Sequence, residues 1–252
     1  MDTARHKAIP PLAPGRCQVW WAPTSAADPR LLALLDPHER DRHDGFLREA
    51  DRARFLVAHA LARIVAAEHA ATGPELIRYW PGAAGRQGAG AKPRFADAAA
   101  DLELSISHSG EHTAVALSRA AAVGVDVERI GPQAAEASLV ESVLAAAEQL
   151  ELGALPESAR AWGFCRYWTR KEAILKATGD GLSVSLRRIS VTGATRPPAL
   201  LHWSGPGRPT EPVDLYDLDV GPGYTASLAT VGVSLERPPS EHDGEPLLGG
   251  WR

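Results

Sequence analysis

Two acidic residues alternate with valines in the segment Gly124-Val-Asp-Val-Glu128. Because successive side chains of a β-strand point to opposite faces, this pattern places Asp126 and Glu128 on one face, about 7 Å apart along the strand. Two carboxylates on one face repel each other unless a positive charge lies between them, and Mg²⁺ prefers oxygen ligands of this kind. A solvated edge strand would show the same pattern, so this segment alone leaves both a metal site and an exposed acidic face open.

A second segment, Trp168 to Leu182, combines charge with an abrupt helix end. Glu172 and Lys176 are four residues apart and are therefore neighbours on one helical face. The glycines Gly179 and Gly181 predict that the helix stops just after Lys176, beside backbone that a ligand can approach closely. An ordinary ion pair on a solvated helix is the alternative.

The third segment is Ser107-His108-Ser109, at the end of a predicted strand. A histidine flanked by hydroxyl groups can bind phosphate oxygens there, although a turn in which these side chains bond their own backbone is common. The sequence contains no G-x-S-x-G segment, and adjacent Ser and His residues cannot easily face each other. These observations argue against a Ser-His-Asp hydrolase.

The elements that would position these residues alternate between helices and strands. Helices are predicted at 51–69, 139–150 and 161–178, and strands at 102–106, 113–118, 123–128, 184–191, 199–203, 213–220 and 224–233. This order favours an α+β fold with two similar α/β halves that meet near residues 119–122. We expect a flexible tail at 1–15, an N-terminal half at 16–119, a C-terminal half with the acidic pair at 120–234, and a flexible tail at 235–252.

Composition excludes several classes of protein. The chain has 252 residues, 44% hydrophobic and 23% charged, which is a globular rather than a disordered mixture. No apolar run approaches the ~18 residues of a membrane span, and residues 1–15 lack the apolar core of a signal peptide. Cys17 and Cys165 form no disulfide framework, and a net charge of −4 does not favour nucleic acid. We therefore expect a cytoplasmic protein without a membrane or nucleic-acid partner.

Taken together, these segments resemble the 4′-phosphopantetheinyl transferases, specifically the larger, single-chain surfactin-type branch. The resemblance spans residues 39–182 and rests on the segments Glu39-Arg40-Asp-Arg42, Asp51-Arg52-Ala-Arg54, Lys92-Pro93, Ile106-Ser-His-Ser109, Gly124-Val-Asp-Val-Glu128 and Trp168-x-x-Lys171-Glu172-Ala173-x-x-Lys176-x-x-Gly179-x-Gly181-Leu182. It implies a monomer whose halves are related by a pseudo-two-fold axis, with coenzyme A in the cleft between them.

The resemblance also implies an activity. The phosphopantetheine arm of coenzyme A would pass to a serine of an apo acyl or peptidyl carrier protein, with release of adenosine 3′,5′-bisphosphate. Mg²⁺, or Mn²⁺ in its place, would assist. The carrier would come from polyketide, nonribosomal peptide or fatty-acid synthesis.

Roles transfer position by position under this resemblance. Asp126, Glu128 and Glu172 match the metal site, and Glu172 also matches the proposed general base. The matching coenzyme contacts are Lys176, His108 and Ser107 at the pyrophosphate, Lys92 and Pro93 at the nucleotide, and Arg42 and Arg54 near the 3′-phosphate, while Lys171 matches either a contact or a structural position. Glu39 stands where some relatives carry a basic residue, so Arg40, Arg42 or Arg48 would make that contact instead.

Two other functions are alternatives to a transferase. A non-catalytic module that binds coenzyme A or a carrier protein would be expected to lose an acidic ligand or Lys176, and all of them are present. An unrelated Mg²⁺-dependent phosphohydrolase would need a group of residues that activates water, and the sequence shows none.

Overall fold

The structure is a computed structural model that describes residues 9–79, 92–131, 134–179 and 184–251. Its strands are β1 (Cys17–Pro23), β2 (Arg78–Tyr79), β3 (Phe95–Ala96), β4 (Leu102–Ser109), β5 (His112–Arg119), β6 (Ala122–Arg129), β7 (Ile189–Val191), β8 (Leu200–Trp203), β9 (Val213–Leu218), β10 (Tyr224–Val231) and β11 (Ser240–Asp243). Its α-helices are α1 (Pro37–Asp44), α2 (Glu49–His69), α3 (Ala137–Val143), α4 (Ala146–Gly153), α5 (Glu157–Thr178) and α6 (Glu245–Gly249). The α+β class predicted from the sequence agrees with this arrangement.

The N-terminal half is a four-stranded sheet in the order β11-β1-β5-β4, with α2 packed against it. Strand β5 pairs antiparallel with both β1 and β4, and β11 pairs parallel with β1. One face of α2 is apolar, and Phe55, Leu61 and Val65 from this face lie in the core of this half. The predicted helix at 51–69 is therefore present and begins two residues earlier, at Glu49.

The C-terminal half repeats this plan. Its sheet has the order β6-β10-β9, so that the first, fifth and fourth strands of the half lie side by side, as β1, β5 and β4 do. Helix α5 packs against β6 and β10. The valines of β6 bury their side chains against residues of β1 and β5, which joins the two sheets through a shared apolar layer.

The joint between the halves is made by side chains. Strand β4 lies beside β6, and alternate serine hydroxyls of β4 accept hydrogen bonds from alternate backbone N–H groups of β6: Ser105 from Val125 (3.0 Å), Ser107 from Val127 (3.2 Å) and Ser109 from Arg129 (3.1 Å). We call Ser105, Ser107 and Ser109 the serine ladder. Because these hydroxyls take the place of backbone carbonyls, the edge of β6 is satisfied without a continuous sheet.

The predicted flexible tail at 235–252 is wrong over much of its length. Strand β11 adds to the edge of β1, and α6 follows it. Leu247 and Leu248 of α6 are buried in the N-terminal core, which holds this end of the chain in place. At the other end, residues 9–15 contain no helix or strand, but Leu12 is buried in the same core; residues 1–8 lie outside the described part.

Three local predictions also need correction. The helix predicted at 139–150 is two helices, because the backbone is extended at Leu144 and Ala145, and the Ala145 N–H instead bonds to the carboxylate of Glu148. The strand predicted at 184–191 begins only at Ile189, after a 3₁₀ turn at Leu186–Arg188. Strand β1 was not predicted, because five of its seven residues are buried and the polar–apolar alternation of an exposed strand is missing.

Among the described helices, none combines the length and the apolar character that crossing a bilayer requires.

Candidate active site

The acidic strand β6 presents its carboxylates to helix α5, as its alternation predicts. Asp126 is 4% exposed, and its Oδ1 accepts hydrogen bonds from the Ser107 hydroxyl (2.9 Å) and the Lys176 ammonium (2.7 Å). Its other oxygen, Oδ2, is buried and has no hydrogen-bond partner in the described residues. Glu128, two residues on, is half-buried and accepts a hydrogen bond from Ser109 (2.8 Å).

Helix α5 supplies the other charged groups because a glycine lets it approach β6. A Cβ atom at Gly124 would overlap the backbone of Ala173 and Ala177, so a side chain at this position would push the helix away. At this close approach Lys176 donates to Ser107 (2.9 Å), Asp126 and the Val125 carbonyl (3.1 Å). The helix then ends at Gly179, whose φ of 81° is the left-handed conformation expected of a terminal glycine.

Glu172 lies one turn before Lys176 on the same helix, and its Oε1 is buried without a partner in the parts of the chain that the structure covers. Burial, followed by the negative charge of Asp126, raises the pKa of Glu172 to about 7. Burial and then Asp126 also raise the pKa of Glu128 to about 7, against the hydrogen bond from Ser109 and the charge of Lys176. One ammonium group therefore does not balance the negative charge of this site.

The donor chemistry of the site fits a hard divalent cation. Two buried carboxylate oxygens, Asp126 Oδ2 and Glu172 Oε1, have no partner among the described atoms, and oxygen is the ligand that Mg²⁺ prefers. Over the same residues, no group of three or more His, Cys, Asp or Glu side chains is arranged so that it could hold a metal ion by itself. Mg²⁺ is commonly held by one or two carboxylates together with substrate phosphate and water, and this site matches that mode.

A cavity of about 360 Å³ lies in the N-terminal half and contains several of the predicted contacts. Arg42, Pro93 and His108 line it, together with the rings of Phe55 and Tyr79. Burial, followed by the nearby charges of Lys176 and Arg54, lowers the pKa of His108, although its own backbone hydrogen bond opposes this. Cationic and aromatic side chains therefore share one cavity.

Glu39 lies at this cavity but has a structural role, because its carboxylate is bonded to neighbouring residues of the chain. It is 5% exposed, and it accepts hydrogen bonds from His59 (2.6 Å), from Arg63 Nε (3.1 Å) and from the backbone N–H of Asp36 (2.9 Å). Burial works to raise its pKa, but the bond to His59 and the charges of His59 and Arg63 outweigh this and lower it to about 2. The charge of Glu39 is thus neutralised from within.

Of the three arginines predicted to replace a basic residue at position 39, only Arg42 lines the cavity. Arg40 instead donates its Nε to the carbonyls of Leu32 and Leu35. Arg48 is exposed and precedes α2. Arg42 is the candidate that remains.

The sequence left two roles open for Lys171, a coenzyme contact and a structural position. The structure gives it the structural role, so its assignment as a coenzyme contact is wrong. It is fully buried in the C-terminal half, where its ammonium pairs with Glu148 (2.5 Å) and donates to the carbonyls of Val143 (2.9 Å) and Leu186 (3.2 Å). Burial lowers its pKa, and Glu148 opposes this. Lys176 also has three internal partners, but its side chain is 29% exposed, whereas that of Lys171 is 0% exposed and therefore cannot meet a ligand.

Three further predicted contacts have internal partners but lie near the site. Lys92 forms an ion pair with Glu103 (2.7 Å), and burial lowers its pKa. Arg54 pairs with Asp51 and donates to the Gly110 carbonyl at the β4–β5 turn. The Ser107 hydroxyl is used three times, by Asp126, Lys176 and the Val127 N–H. Two residues of the glycine motif, Gly181 and Leu182, lie outside the described residues.

Sequence reasoning missed several residues that shape this region. The His59 ring stacks on Phe55 at 4.0 Å, and the Tyr79 ring stacks on Phe95 at 5.3 Å, which builds the aromatic part of the cavity. No local pattern marks these rings, because they come from distant elements. Ser109 was predicted only as a hydroxyl beside His108 that can bind phosphate, and its bond to Glu128 was not foreseen, although the alternation of Ser105, Ser107 and Ser109 with other residues is a usable signal.

Comparison with known proteins supplies the family. The family model described as "4′-phosphopantetheinyl transferase superfamily" matches residues 122–227, which include both acidic residues of β6 and all of α5. A putative 4′-phosphopantetheinyl transferase of Synechocystis, slr0495, is 30% identical over 68% of this chain and 68% of its own. The 4′-phosphopantetheinyl transferase HetI of Nostoc is 30% identical over 69% of this chain and 73% of its own.

Similarity extends to other bacteria. A 4′-phosphopantetheinyl transferase of Bacillus subtilis is 28% identical over 67% of this chain and 71% of its own. Among solved structures, a holo-[acyl-carrier-protein] synthase of Thermotoga maritima covers 44% of this chain and 62% of its own, at 18% identity and a TM-score of 0.35, a likeness too slight to bear on the fold. On the sequence relatives, the chain belongs to the 4′-phosphopantetheinyl transferase superfamily and is a transferase.

Proposed function

We propose that this protein transfers the 4′-phosphopantetheine group from coenzyme A to a serine of an apo carrier protein, in a reaction that depends on Mg²⁺ or Mn²⁺ and releases adenosine 3′,5′-bisphosphate. One observation carries the proposal. Asp126 and Glu172 each keep a buried oxygen without a partner in the described residues, beside Lys176. His108 links this group to the cavity, because it lines the cavity and feels the charge of Lys176.

The metal would be held by Asp126, Glu128 and Glu172, and its charge would neutralise the diphosphate oxygens of coenzyme A. Every other part of the reaction falls to the chain itself. Lys176 already donates to Asp126, and it could turn toward a diphosphate oxygen once the cation shares the carboxylate charge that now holds it. His108 can donate to the same group from the cavity wall.

Glu172 is the proposed general base for the carrier serine. Burial and the charge of Asp126 raise the pKa of Glu172 to about 7 in the metal-free site, and a bound cation would lower it again, so that Glu172 would be ionised at neutral pH and able to accept a proton. The attacking hydroxyl belongs to the partner protein, so this chain needs no nucleophile of its own. Its remaining tasks are to position the two substrates and to neutralise phosphate charge, which is what phosphoryl transfer mainly requires.

The cavity is the proposed place of the nucleotide. Arg42 supplies positive charge for a phosphate group, and Phe55 and Tyr79 supply an aromatic wall against which a base can pack. Pro93 closes one side, and Lys92 lies next to it. Arg54, with Gly110 beneath it, lies at the β4–β5 turn next to this region.

We also infer that the chain is of the larger, single-chain surfactin type and acts as a cytoplasmic monomer with two pseudo-equivalent halves. The repeated strand order of the two sheets supports the pseudo-symmetry. The division of labour supports the single chain, because the C-terminal half carries the acidic residues whereas the N-terminal half carries the cavity.

Intact-protein mass spectrometry tests the proposal. The protein is mixed with coenzyme A, Mg²⁺ and a panel of apo carrier proteins, and at least one carrier should gain the mass of one phosphopantetheine while adenosine 3′,5′-bisphosphate appears in equal amount. A chelator should stop the gain. The variant Glu172→Gln keeps the shape of the side chain but cannot accept a proton, so its rate should fall by about 10²–10⁴-fold. Coenzyme A binding without any mass gain would instead identify a non-catalytic binding module.

A further inference from the structure

The serine ladder does more than join the two sheets, because two of its hydroxyls also touch the acidic residues. Ser109 accepts a hydrogen bond from the Arg129 N–H (3.1 Å) and donates one to Glu128 Oε2 (2.8 Å). Ser107 does the same one step earlier, accepting from the Val127 N–H (3.2 Å) and donating to Asp126 Oδ1 (2.9 Å). Ser107 and Ser109 therefore each bond to a carboxylate and to the backbone N–H of the next residue on β6.

The number of hydrogen bonds that a hydroxyl group can make shows how fully these two serines are used. A serine has one O–H donor and two acceptor lone pairs. At Ser107 all three are in use, since the second lone pair accepts from Lys176 (2.9 Å). Nothing is left for a coenzyme, which changes the role assigned to Ser107 from the sequence. At Ser109 the donor is committed to Glu128.

These bonds leave one oxygen of each carboxylate for another ligand. On Asp126, Oδ1 takes both hydrogen bonds, and Oδ2 is the buried oxygen without a partner in the described residues. On Glu128, Oε2 takes the serine and Oε1 remains. A hydrogen bond from a rigid strand to one oxygen fixes the rotation of a carboxylate and so decides where its other oxygen points.

We infer that Ser109 and Ser107 are positioning residues that aim the free oxygens of Glu128 and Asp126 at the cation of the proposed function, on which this inference rests. The third member provides the contrast. Ser105 accepts the Val125 N–H (3.0 Å) in the same way but has no carboxylate beside it, because residue 124 is glycine. All three serines of the ladder thus bond to the backbone of β6, and two of them, Ser107 and Ser109, also bond to a carboxylate.

Binding of Mn²⁺ in the presence of coenzyme A separates the two roles. Free Mn²⁺ is counted by room-temperature electron paramagnetic resonance during a titration of the wild type and of the variants Ser105→Ala and Ser109→Ala. Both variants lose an acceptor at the joint, and a urea titration of each reports that structural loss. Only Ser109→Ala also loses the bond to a carboxylate.

We expect Ser109→Ala to raise the Mn²⁺ dissociation constant about tenfold, as removal of a group that orients a metal ligand commonly does. Ser105→Ala should stay within about twofold of the wild type, and Ser109→Thr, which keeps the hydroxyl, should bind like the wild type. In a Glu128→Gln background, Ser109→Ala should cause no further loss, because its effect passes through that carboxylate. If Ser109→Ala does not fold, Ser107→Ala takes its place, with the same expected weakening through Asp126.

Two results would overturn the inference in distinguishable ways. Equal Mn²⁺ affinity in Ser105→Ala and Ser109→Ala, with a wild type that binds the ion, would reduce the ladder to a joint and leave the proposed function intact. A wild type that binds no Mn²⁺ with coenzyme A present would remove the metal site itself, and the positioning role with it.

Discussion

The two halves of the molecule carry the same buried ion pair at corresponding places. In the N-terminal half, Glu39, the third residue of α1, pairs with Arg63 of α2; in the C-terminal half, Glu148, the third residue of α4, pairs with Lys171 of α5. Arg63 and Lys171 are each the fifteenth residue of their long helix, and both also donate to backbone carbonyls. Each pair ties a short helix to a long one, which is a structural task.

The halves differ on the strand that faces the long helix. Counted from the ends that pair with the first residues of β5 and β10, Trp20 occupies in β1 the place that Asp126 occupies in β6. By the same count Gln18 corresponds to Gly124. The shared position of Trp20 and Asp126 is thus filled by an indole ring in the N-terminal half and by a carboxylate, close to the long helix, in the C-terminal half. Two sheets with a similar strand order therefore differ in chemistry through a few side chains on one strand.

The buried acidic residues of the two halves differ in their pKa values. Glu39 has three partners that stabilise its charged form, and its pKa is lowered to about 2. Glu128 has Ser109 as a hydrogen-bond donor and both Glu128 and Glu172 feel the charge of Lys176, but burial and the charge of Asp126 outweigh these and raise both pKa values to about 7. A satisfied acid stabilises the N-terminal half, whereas the under-satisfied acids of the C-terminal half leave room for a ligand.

The largest expected effect comes from exchanging charge on β6. Asp126→Asn should lower the rate of transfer about 10³-fold, because it removes one of the preorganised charges of the site, and the fold should be retained. The matching change in the other half, Trp20→Phe, should cost about 1–2 kcal/mol of unfolding free energy and leave the rate within about twofold. Carrier mass spectrometry gives the rates and urea titration the stabilities. Near-normal turnover of Asp126→Asn in saturating Mg²⁺ would break the distinction between the halves.

The two buried ion pairs should respond alike. Lys171→Met removes the cation from the buried Glu148, and Arg63→Met removes the guanidinium from the buried Glu39, which keeps its bond to His59; each should lower the unfolding free energy by about 3–5 kcal/mol. Calorimetric titration of the folded variants at low temperature should show coenzyme A affinity within about threefold of the wild type for Lys171→Met. A stable Lys171→Met protein that has lost coenzyme A affinity would restore Lys171 as a ligand contact.

The close approach of α5 to β6 offers a sharper test within the C-terminal half. Gly124→Ala forces the helix away from the strand, so it should cost about 1–3 kcal/mol of unfolding free energy and lower the rate about 10²-fold as Glu172 and Lys176 move with the helix. Gly153→Ala is the matched control, because a Cβ atom there meets no other atom within 4 Å. Unchanged turnover in Gly124→Ala would show that the close approach has no catalytic role.

The smallest effect expected is a pH dependence of stability in the metal-free protein. Since the pKa of Glu172 is raised to about 7, its folded form binds a proton more tightly than its unfolded form does. Its contribution is present below the unfolded pKa of about 4.5 and is lost as the pH rises through about 7, by about 1–2 kcal/mol. The difference in unfolding free energy between wild type and Glu172→Gln should therefore fall between pH 5 and pH 8. A difference that rises over this range would contradict the raised pKa.

Glu39 provides the opposite sign in the other half. Its contribution is present above the unfolded pKa and is lost only as the pH falls through about 2. The variant Glu39→Gln should therefore give a stability difference that stays constant between pH 5 and pH 8. A slope there would mean that the two acids are not in contrasting environments.

Local periodicity was enough to predict the acidic strand and the charged face of the helix. The alternation at 124–128 places Asp126 and Glu128 on one face, and a spacing of four places Glu172 beside Lys176, whatever the rest of the chain does. Lys171 and Lys176 could not be told apart in this way. One is buried and the other reaches the site because Glu148, from a separate helix, lies against only one of them.

Long-range pairing was the other limit. Strand β11 pairs with β1 across more than 200 residues, so nothing local in 235–252 shows that this segment is held. The aromatic cavity has the same origin, since Phe55, Tyr79 and Phe95 come from three elements. The identity of a motif residue was predictable from the sequence, whereas its partners were set by the assembled fold.

Crystals grown with Mn²⁺ and coenzyme A would show whether the metal site exists, because anomalous scattering locates the ion without reference to activity. We predict a peak about 2.2 Å from Asp126 Oδ2 and from an oxygen of Glu172 in the C-terminal half, with the diphosphate completing the ligands. A well-bound coenzyme A with no Mn²⁺ peak between β6 and α5, or with the peak at the Glu39 pair of the N-terminal half, would contradict it.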